Sequence, residues 1–247
     1  MKKKQRIKGR KSAQGFWDKE YAGGKGKTHL ALSDEPSEDL EKFVRFLERD
    51  SGQEYLNFHQ SVVDLGCGNG RNLIYLSKTF GVRGTGFDIA SSGITQAKKA
   101  SFNEEGENLP LEYEVRSIAG ALPFPDESQA IVLDMMVSHF LNIEERKFLI
   151  SEVARILKPG GWFFFKTFLL DEDRHAKRLL ESHPSGEAGS YIHPEIQVAE
   201  HVSTQEELEE LLAPYFKIHK IHKSHGHLKK TKSAKRRSIG VYAERLY

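Results

Sequence analysis

The sequence predicts an α/β protein: a doubly wound, mostly parallel seven-stranded sheet that ends in an antiparallel C-terminal hairpin. Three observations carry this. Between residues 62 and 169, short continuous apolar runs alternate with segments of helical periodicity, as in parallel strands covered on both faces. Residues 216–225 and 236–246 instead alternate apolar with polar side chains, as two antiparallel neighbours do. The chain has 247 residues, 38% of them hydrophobic, enough for one large core.

Taken in order, SEDLEKFVRFLERD (37–50) sets Leu40, Phe43, Val44, Phe46 and Leu47 at helical spacing behind Pro36 and Ser37, which suit a helix start. VVDLG (62–66) is a strand and RNLIYLSKTF (71–80) a helix. VRGTGFDI (82–89) is a strand, SSGITQAKKASFNEE (91–105) a helix and LEYEVRS (111–117) a strand. After the loop LPFPDES (122–128) come strand QAIVLDMM (129–136) and helix NIEERKFLISEVARIL (142–157), where Asn142 and Glu145 have capping-box spacing. KPGG (158–161) reads as a turn and WFFFKTFL (162–169) as a buried strand. Right-handed crossovers are expected between the parallel strands. DEDRHAKRLLESH (171–183) and TQEELEELLAPYF (204–216) read as helices, with 183–203 a long irregular insertion between them. A loop of that length in a compact domain is usually functional. No internal repeat is visible.

The net charge of +2 hides an asymmetry. Residues 1–12 hold seven Lys/Arg and no acid, and residues 217–237 hold nine Lys/Arg and no acid; the rest sets 21 basic residues against all 35 acids. Clusters of this kind are either solvated segments or grips for a phosphate-rich partner. No apolar run approaches the roughly 20 residues that span a bilayer, so no membrane role is expected. The basic N-terminus is not followed by an apolar stretch and does not read as a secretory signal. The single cysteine, Cys67, excludes an intrachain disulfide, and a reducing, cytoplasmic setting is the default expectation.

The chemistry concentrates at SVVDLGCGNGRN (61–72). A parallel strand ends there and a helix begins, so the bend lies at the carboxyl edge of the sheet, where open α/β proteins bind ligands. Gly66, Gly68 and Gly70 let the chain turn tightly and let a ligand approach the backbone. Asp64 precedes the bend, and Asp88 ends the next strand about 20 residues on, where a carboxylate can accept hydrogen bonds from both hydroxyls of a ribose. A dinucleotide fingerprint would need glycine at position 71, which is arginine. A pyrophosphate on a helix N-terminus also disfavours an adjacent acid. Asp64 argues for a ligand with an ammonium group, such as an adenosyl amino acid.

VVDLGCGNGRN, GFDIA, LPFPDESQAIVLDMM and LKPGGWFFF follow one another over about residues 60–168. Together they resemble the class I S-adenosylmethionine-dependent methyltransferases, in particular their broad methyltransferase-domain group. The resemblance implies a Rossmann-like methyltransferase fold, S-adenosylmethionine as cofactor and methyl transfer as the activity. It assigns Asp64 and the loop 66–70, with Gly66, Cys67 and Gly68, to the methionyl part; Cys67, with no His or Asn partner nearby in sequence, reads as a small buried spacer. Asp88 takes the ribose, Ile89, Ile118 and Ala119 border the adenine, and Asn72 supports the loop. Met135 and Met136 line the pocket beside Ser138. FWDKEY (16–21) is similar to the segment that covers the cofactor in this family, so Trp17 and Tyr21 are expected over it. Many relatives carry an acid where Ile118 stands, so its contact with the adenine amino group must be replaced or absent. The domain reading is a flexible basic tail at 1–12 and one domain at 13–247, with a lid at 13–36 and an insertion at 170–203.

A sulfonium methyl is already activated, so alignment and exclusion of water can carry much of the barrier reduction, and a base is needed only for a protonated acceptor. His139, in MVSHF after the fourth strand, is the candidate base. In the insertion, YIHPEIQVAEH offers Tyr191, His193, Glu195 and His201 as acceptor-binding candidates, beside Glu200; its spacing matches no tight metal motif, and no metal is expected. The leading reading is a methyltransferase acting on a small-molecule acceptor. Two others stay open: an RNA methyltransferase gripping nucleic acid with both basic segments, and a non-catalytic binding module that retains the fold. The strip His219, Lys220, His222, Lys223, His225, His227, Lys229, Lys230, Lys232, Lys235, Arg236 and Arg237 has few interleaved aromatics, so base stacking is not advertised.

Overall fold

Why the apolar runs behave as strands is seen in their partners. The computed structural model describes residues 10–23, 33–224 and 236–247. Strands β1 (Ser61–Leu65), β2 (Arg83–Asp88), β3 (Leu111–Val115), β4 (Gln129–Met135) and β5 (Leu157–Phe168) run parallel. With β8 (Phe216–Lys223) and β9 (Ser238–Arg245) they form one seven-stranded sheet in the order β3-β2-β1-β4-β5-β9-β8. β9 is antiparallel to both β5 and β8. The chain steps outward from β1 to β3, then returns to place β4 on the other side of β1, so the order reverses there. Such a reversal opens a crevice at the carboxyl ends of the two strands.

Period-2 alternation divides the core between the two faces of the sheet. Val63, Leu65, Val132, Phe163, Phe165 and Val241 pack on one side under α5 (Ile143–Ile156) and α7 (Gln205–Leu212). Val62, Ile131, Leu133, Trp162, Phe164 and Tyr242 pack on the other, under α2 (Glu38–Ser51), α3 (Arg71–Phe80) and α4 (Ser91–Ala100). Helix α2 buries all five residues that its spacing marks out, and Phe43 and Phe46 meet the rings of Trp162 and Tyr242 at 4.9–6.3 Å. Each such side chain contributes about 1.5–3 kcal/mol by leaving water. Asn142 and Glu145 form the full capping box at the start of α5.

The structure revises five expectations. Helix α1 (Arg10–Ala22) begins inside the segment read as a tail, because it is docked on α4, as described below; residues 1–9 lie outside the described residues. Helix α4 stops at Ala100 rather than 105, where Ser101 donates its hydroxyl to Ala97 O and its backbone leaves helical geometry. KPGG belongs to β5, which starts at Leu157. Helix α6 (Arg174–Ser182) starts late because Asp173 caps it, accepting from His175 and Ala176 N–H. The insertion is not irregular throughout: β6 (Ser190–Ile192) and β7 (Ala199–His201) pair antiparallel as a separate two-stranded sheet. Of the basic strip, His225, His227, Lys229, Lys230, Lys232 and Lys235 lie outside the described residues.

Candidate functional site

The bend after β1 is held by its own backbone. Gly66 and Cys67 N–H both donate to Phe87 O, at 2.7 and 2.9 Å. Gly66 and Gly68 have φ of +72° and +56°, a region open to glycine. A Cβ on Gly66 would sit 2.6 Å from Val137, and one on Gly68 would run into the Tyr21 hydroxyl. Only a chain without side chains fits between the sheet and what covers it.

Three carboxylates converge behind this bend. Asp64 is 1% exposed, yet it reaches the wall of a cavity of about 840 Å³ at the crevice. Its Oδ2 has no hydrogen-bond partner among the described residues. Burial, and then the neighbouring Asp88, push its pKa up to about 8. Asp88 bridges the bend, accepting from Gly68 N–H at 2.9 Å and Ala90 N–H at 2.8 Å; burial raises its pKa as well. Asp134, on the neighbouring strand, turns the chain by accepting from Val137 and Ser138 N–H, both at 3.3 Å. The turn leaves Met136 at φ +75°, a conformation that costs a non-glycine residue about 1–3 kcal/mol and clusters at functional sites. Burial pushes the Cys67 thiol well up, which suits a spacer and not a nucleophile.

Helix α1 covers the cavity, and α4 holds it there. Helix α4 has no side-chain cap of its own. Asp18 of α1 supplies one, accepting from Ser92 N–H at 3.0 Å and the Ser91 hydroxyl at 2.9 Å, while its carbonyl takes the Ser92 hydroxyl at 2.8 Å. These hydrogen bonds outweigh its burial and lower its pKa. Gln96 ties down the end of α1 through Tyr21 O at 2.6 Å. Trp17 and Tyr21 thereby reach the cavity wall, and Trp17 meets the Phe140 ring edge-on at 5.4 Å.

Of the residues the sequence nominates, Trp17, Tyr21, Asp64, Gly66, Cys67, Asn72, Asp88, Ile89, Ile118, Met135, Met136, His139 and His201 line this one cavity. Gly68 stands behind it, through Asp88 and Tyr21. Ala119 is off the wall, turned by the bond from its N–H to Ser117 Oγ at 3.2 Å. Asn72 joins the α2 start to β4: its Oδ1 accepts from Ser37 N–H at 3.1 Å and its amide contacts Met135 Sδ at 3.5 Å. His139 is 3% exposed, with Nδ1 unpartnered among the described residues. Burial pushes its pKa down to about 4, so the ring stays neutral.

The hairpin β6–β7 sorts the remaining candidates by its pleat. Ser190 pairs with His201 and Ile192 with Ala199, whereas Tyr191 pairs with Glu200 on the opposite face. Ser190, Ala199 and His201 line the cavity. Tyr191 points away: its hydroxyl donates to Glu200 at 2.5 Å, and Arg236 joins the same carboxylate at 2.6 Å. His193 and Glu195 fall in the connecting turn, where His193 Nδ1 accepts from the N–H of Glu195 and Ile196 at 3.3 and 3.4 Å; Glu195 is exposed. Sequence reading misses Ser190 and Glu187, which the wall includes, and also Arg71 and Lys166. Alternation from His201 would have found Ser190 had the hairpin been anticipated.

Among the described residues, no cluster of three His, Cys, Asp or Glu could hold a metal, and no helix is long and apolar enough to cross a membrane. Four residues of the described part of the basic strip are engaged with acids, while Lys220 lies over the Tyr242 ring at 5.7 Å. His219 meets Glu244 at 2.5 Å, Lys223 lies 3.6 Å from Asp171, and Arg236 and Arg237 pair with Glu200 and Glu172.

Comparison with known proteins places this geometry. The methyltransferase domain family matches residues 62–161. The phthiotriol/phenolphthiotriol dimycocerosates methyltransferase of Mycobacterium tuberculosis (strain ATCC 25618 / H37Rv) is 36% identical over 135 residues, 54% of this chain and 46% of that protein. The O-methyltransferase resE of Aspergillus sclerotiorum is 28% identical over 192 residues, 76% of this chain and 67% of that protein. The chain thus spans about half the length of the first of these curated relatives. A crystal structure of a SAM-dependent methyltransferase from Methanosarcina mazei shares the fold, with a TM-score of 0.66, 24% identity, and coverage of 78% of this chain and 96% of that one.

Proposed function

We propose that this chain, whose residues 62–161 match the methyltransferase domain family, is a class I S-adenosylmethionine-dependent methyltransferase that transfers a methyl group to a small-molecule acceptor. One observation carries the reading: a buried carboxyl group, Asp64, with an oxygen that none of the described residues satisfies, set in a glycine bend. A buried acid without a partner is costly, and the ammonium of the methionyl group is the partner it lacks. The residues fit the rest of the cofactor too. Asp88 accepts from Gly68 and Ala90 N–H through different oxygens, at 2.9 and 2.8 Å, and a carboxylate's two oxygens have further lone pairs for ribose hydroxyls. Ile89 and Ile118 offer an apolar slot for adenine.

When bound, the cofactor supplies a methyl group on a positively charged sulfur, already open to attack. The chain's own residues bind, orient and dry the site. Trp17 and Tyr21 close it from above and exclude water. Tyr21 is kept as the neutral phenol, chiefly by burial and then by Asp88. His139, neutral in its buried place, orients an acceptor by accepting a hydrogen bond. The acceptor wall is built by the turn after β4, the start of α5 and the insertion 170–203, and the lid, among the described residues, by 13–23 and 33–36. Curated relatives are named as methyltransferases of phthiotriol/phenolphthiotriol dimycocerosates, of a fatty acid and of 27-O-demethylrifamycin SV, which supports a small-molecule acceptor.

Calorimetry with S-adenosylhomocysteine, against NAD as control, tests this. Binding of the first at micromolar concentration and none of the second is expected. Binding of NAD alone would sink the proposal.

A further inference from the structure

We propose that Ser190, His201 and Glu207 form a proton outlet in the acceptor wall, and that the acceptor is accordingly an alcohol or a phenol. The inference rests on the methyltransferase reading and extends it. Ser190 Oγ lies 2.9 Å from His201 Nδ1, and His201 Nε2 lies 2.7 Å from Glu207 Oε1. Ser190 and His201 are 5% and 4% exposed and both line the cavity. The Glu207 side chain is 38% exposed. The three groups therefore run from the inner wall to solvent. Helix α7 aims Glu207 at the ring, with Thr204 capping the same turn, and Gly189 leaves room for it, since a Cβ there would meet His201 Cε1 at 2.7 Å.

With His201 Nε2–H donating to Glu207 Oε1, Nδ1 is open to receive a proton through Ser190. In the reaction the acceptor's O–H bond breaks and its electron pair forms the new O–CH3 bond. The C–S bond pair leaves with sulfur, and the proton passes by way of Ser190 Oγ to His201 Nδ1. The groups facing the ring are Glu207, Glu187, 3.7 Å from Nδ1, and His139 from the turn after β4. Ser190 can instead donate to Glu187 Oε1 at 3.0 Å, so rotation of one hydroxyl sets the outlet.

Charge selects the class of acceptor. The Lys and Arg of the cavity wall, Arg71, Arg116 and Lys166, are engaged with Glu35 O, Glu114 and Asp39. Glu187, held ionised by Arg146 and Ile143 N–H against its burial, stands on the acceptor wall. A carboxylate acceptor would meet repulsion there and has no proton to lose. An amine would be held as ammonium, without a lone pair to attack with. A hydroxyl needs what the wall provides.

The test uses the full chain, methyl-tritiated S-adenosylmethionine, and four probes of one body: 1-decanol, 4-nonylphenol, decanoate and decylamine. Label is expected in the alcohol or the phenol and not in the others. Ser190→Ala and His201→Asn should each lower kcat about 100-fold, with KM within about threefold and S-adenosylhomocysteine binding kept. Glu207→Gln should lower kcat about tenfold with KM unchanged; a purely structural role would lower Tm and leave kcat in place. Preferred labelling of decanoate or decylamine, no labelling of either hydroxyl probe, or an unchanged kcat in Glu207→Gln overturns the outlet. Failure of S-adenosylhomocysteine to bind the unmodified chain is a separate result, which removes the methyltransferase reading and the outlet with it.

Discussion

Asp64 is the residue at which the proposed function sets binding against stability. Its folded pKa of about 8 lies far above the roughly 3.9 of an unfolded aspartate. Between those values the folded chain holds a proton that the unfolded chain has lost, so unfolding free energy falls as pH rises from about 4 to about 8. Asp64→Asn should therefore raise the Tm of the ligand-free protein at pH 7, by an amount worth of order 1–3 kcal/mol, while weakening S-adenosylhomocysteine at least about 100-fold; paired melts and titrations check both. An arriving ammonium should also expel the Asp64 proton. Calorimetry at pH 7 in buffers of different ionisation enthalpy should show up to one proton released, fading above pH 9. His139 has the opposite sign. Its folded pKa of about 4 is below the roughly 6.5 of free histidine, so stability is lost as pH falls from 6.5 towards 4, and His139→Asn should flatten that slope in thermal melts.

At the scale of elements, the interest lies in helices that depend on one another. Since α4 takes its cap from Asp18, Asp18→Ala should cost α4 about 1 kcal/mol and free α1. S-adenosylhomocysteine should then dissociate about tenfold faster in stopped-flow, with amide exchange rising in 10–23 and 91–95. Arg155 plays a comparable part for the loop before β4: it bonds Leu122 O, Phe124 O, Asp126 and Glu152. Arg155→Met should raise amide exchange across 121–128 and lower Tm by a few degrees. Some of this was legible beforehand. The box at Asn142 and Glu145 and the face of α2 are local patterns, visible wherever three or four residues decide the outcome. The hairpin β6–β7 was not, because its strands are three residues each and a proline, Pro194, stands between them. With it went the register that turns Tyr191 away and brings Ser190 in. Asp18 was hidden for another reason: its partners lie 73 and 74 positions along the chain.

For the whole molecule, the order of the sheet followed from the alternation of runs, while the depth of its crevice needed coordinates. Helix α1 is linked to α4 and Phe140, and among the described residues none of it belongs to the apolar core on either face of the sheet. Deleting residues 1–23 should leave a cooperative thermal transition and a native-like far-ultraviolet spectrum, yet abolish measurable S-adenosylhomocysteine binding below about 100 μM. The two ends of the cavity also come from different stretches of chain: β1, β2 and β3 furnish one, the turn after β4 and the hairpin β6–β7 the other. Because that hairpin forms a sheet of its own, natural drift or an engineer can exchange it like a cassette, retargeting the chemistry while the donor cradle is inherited intact.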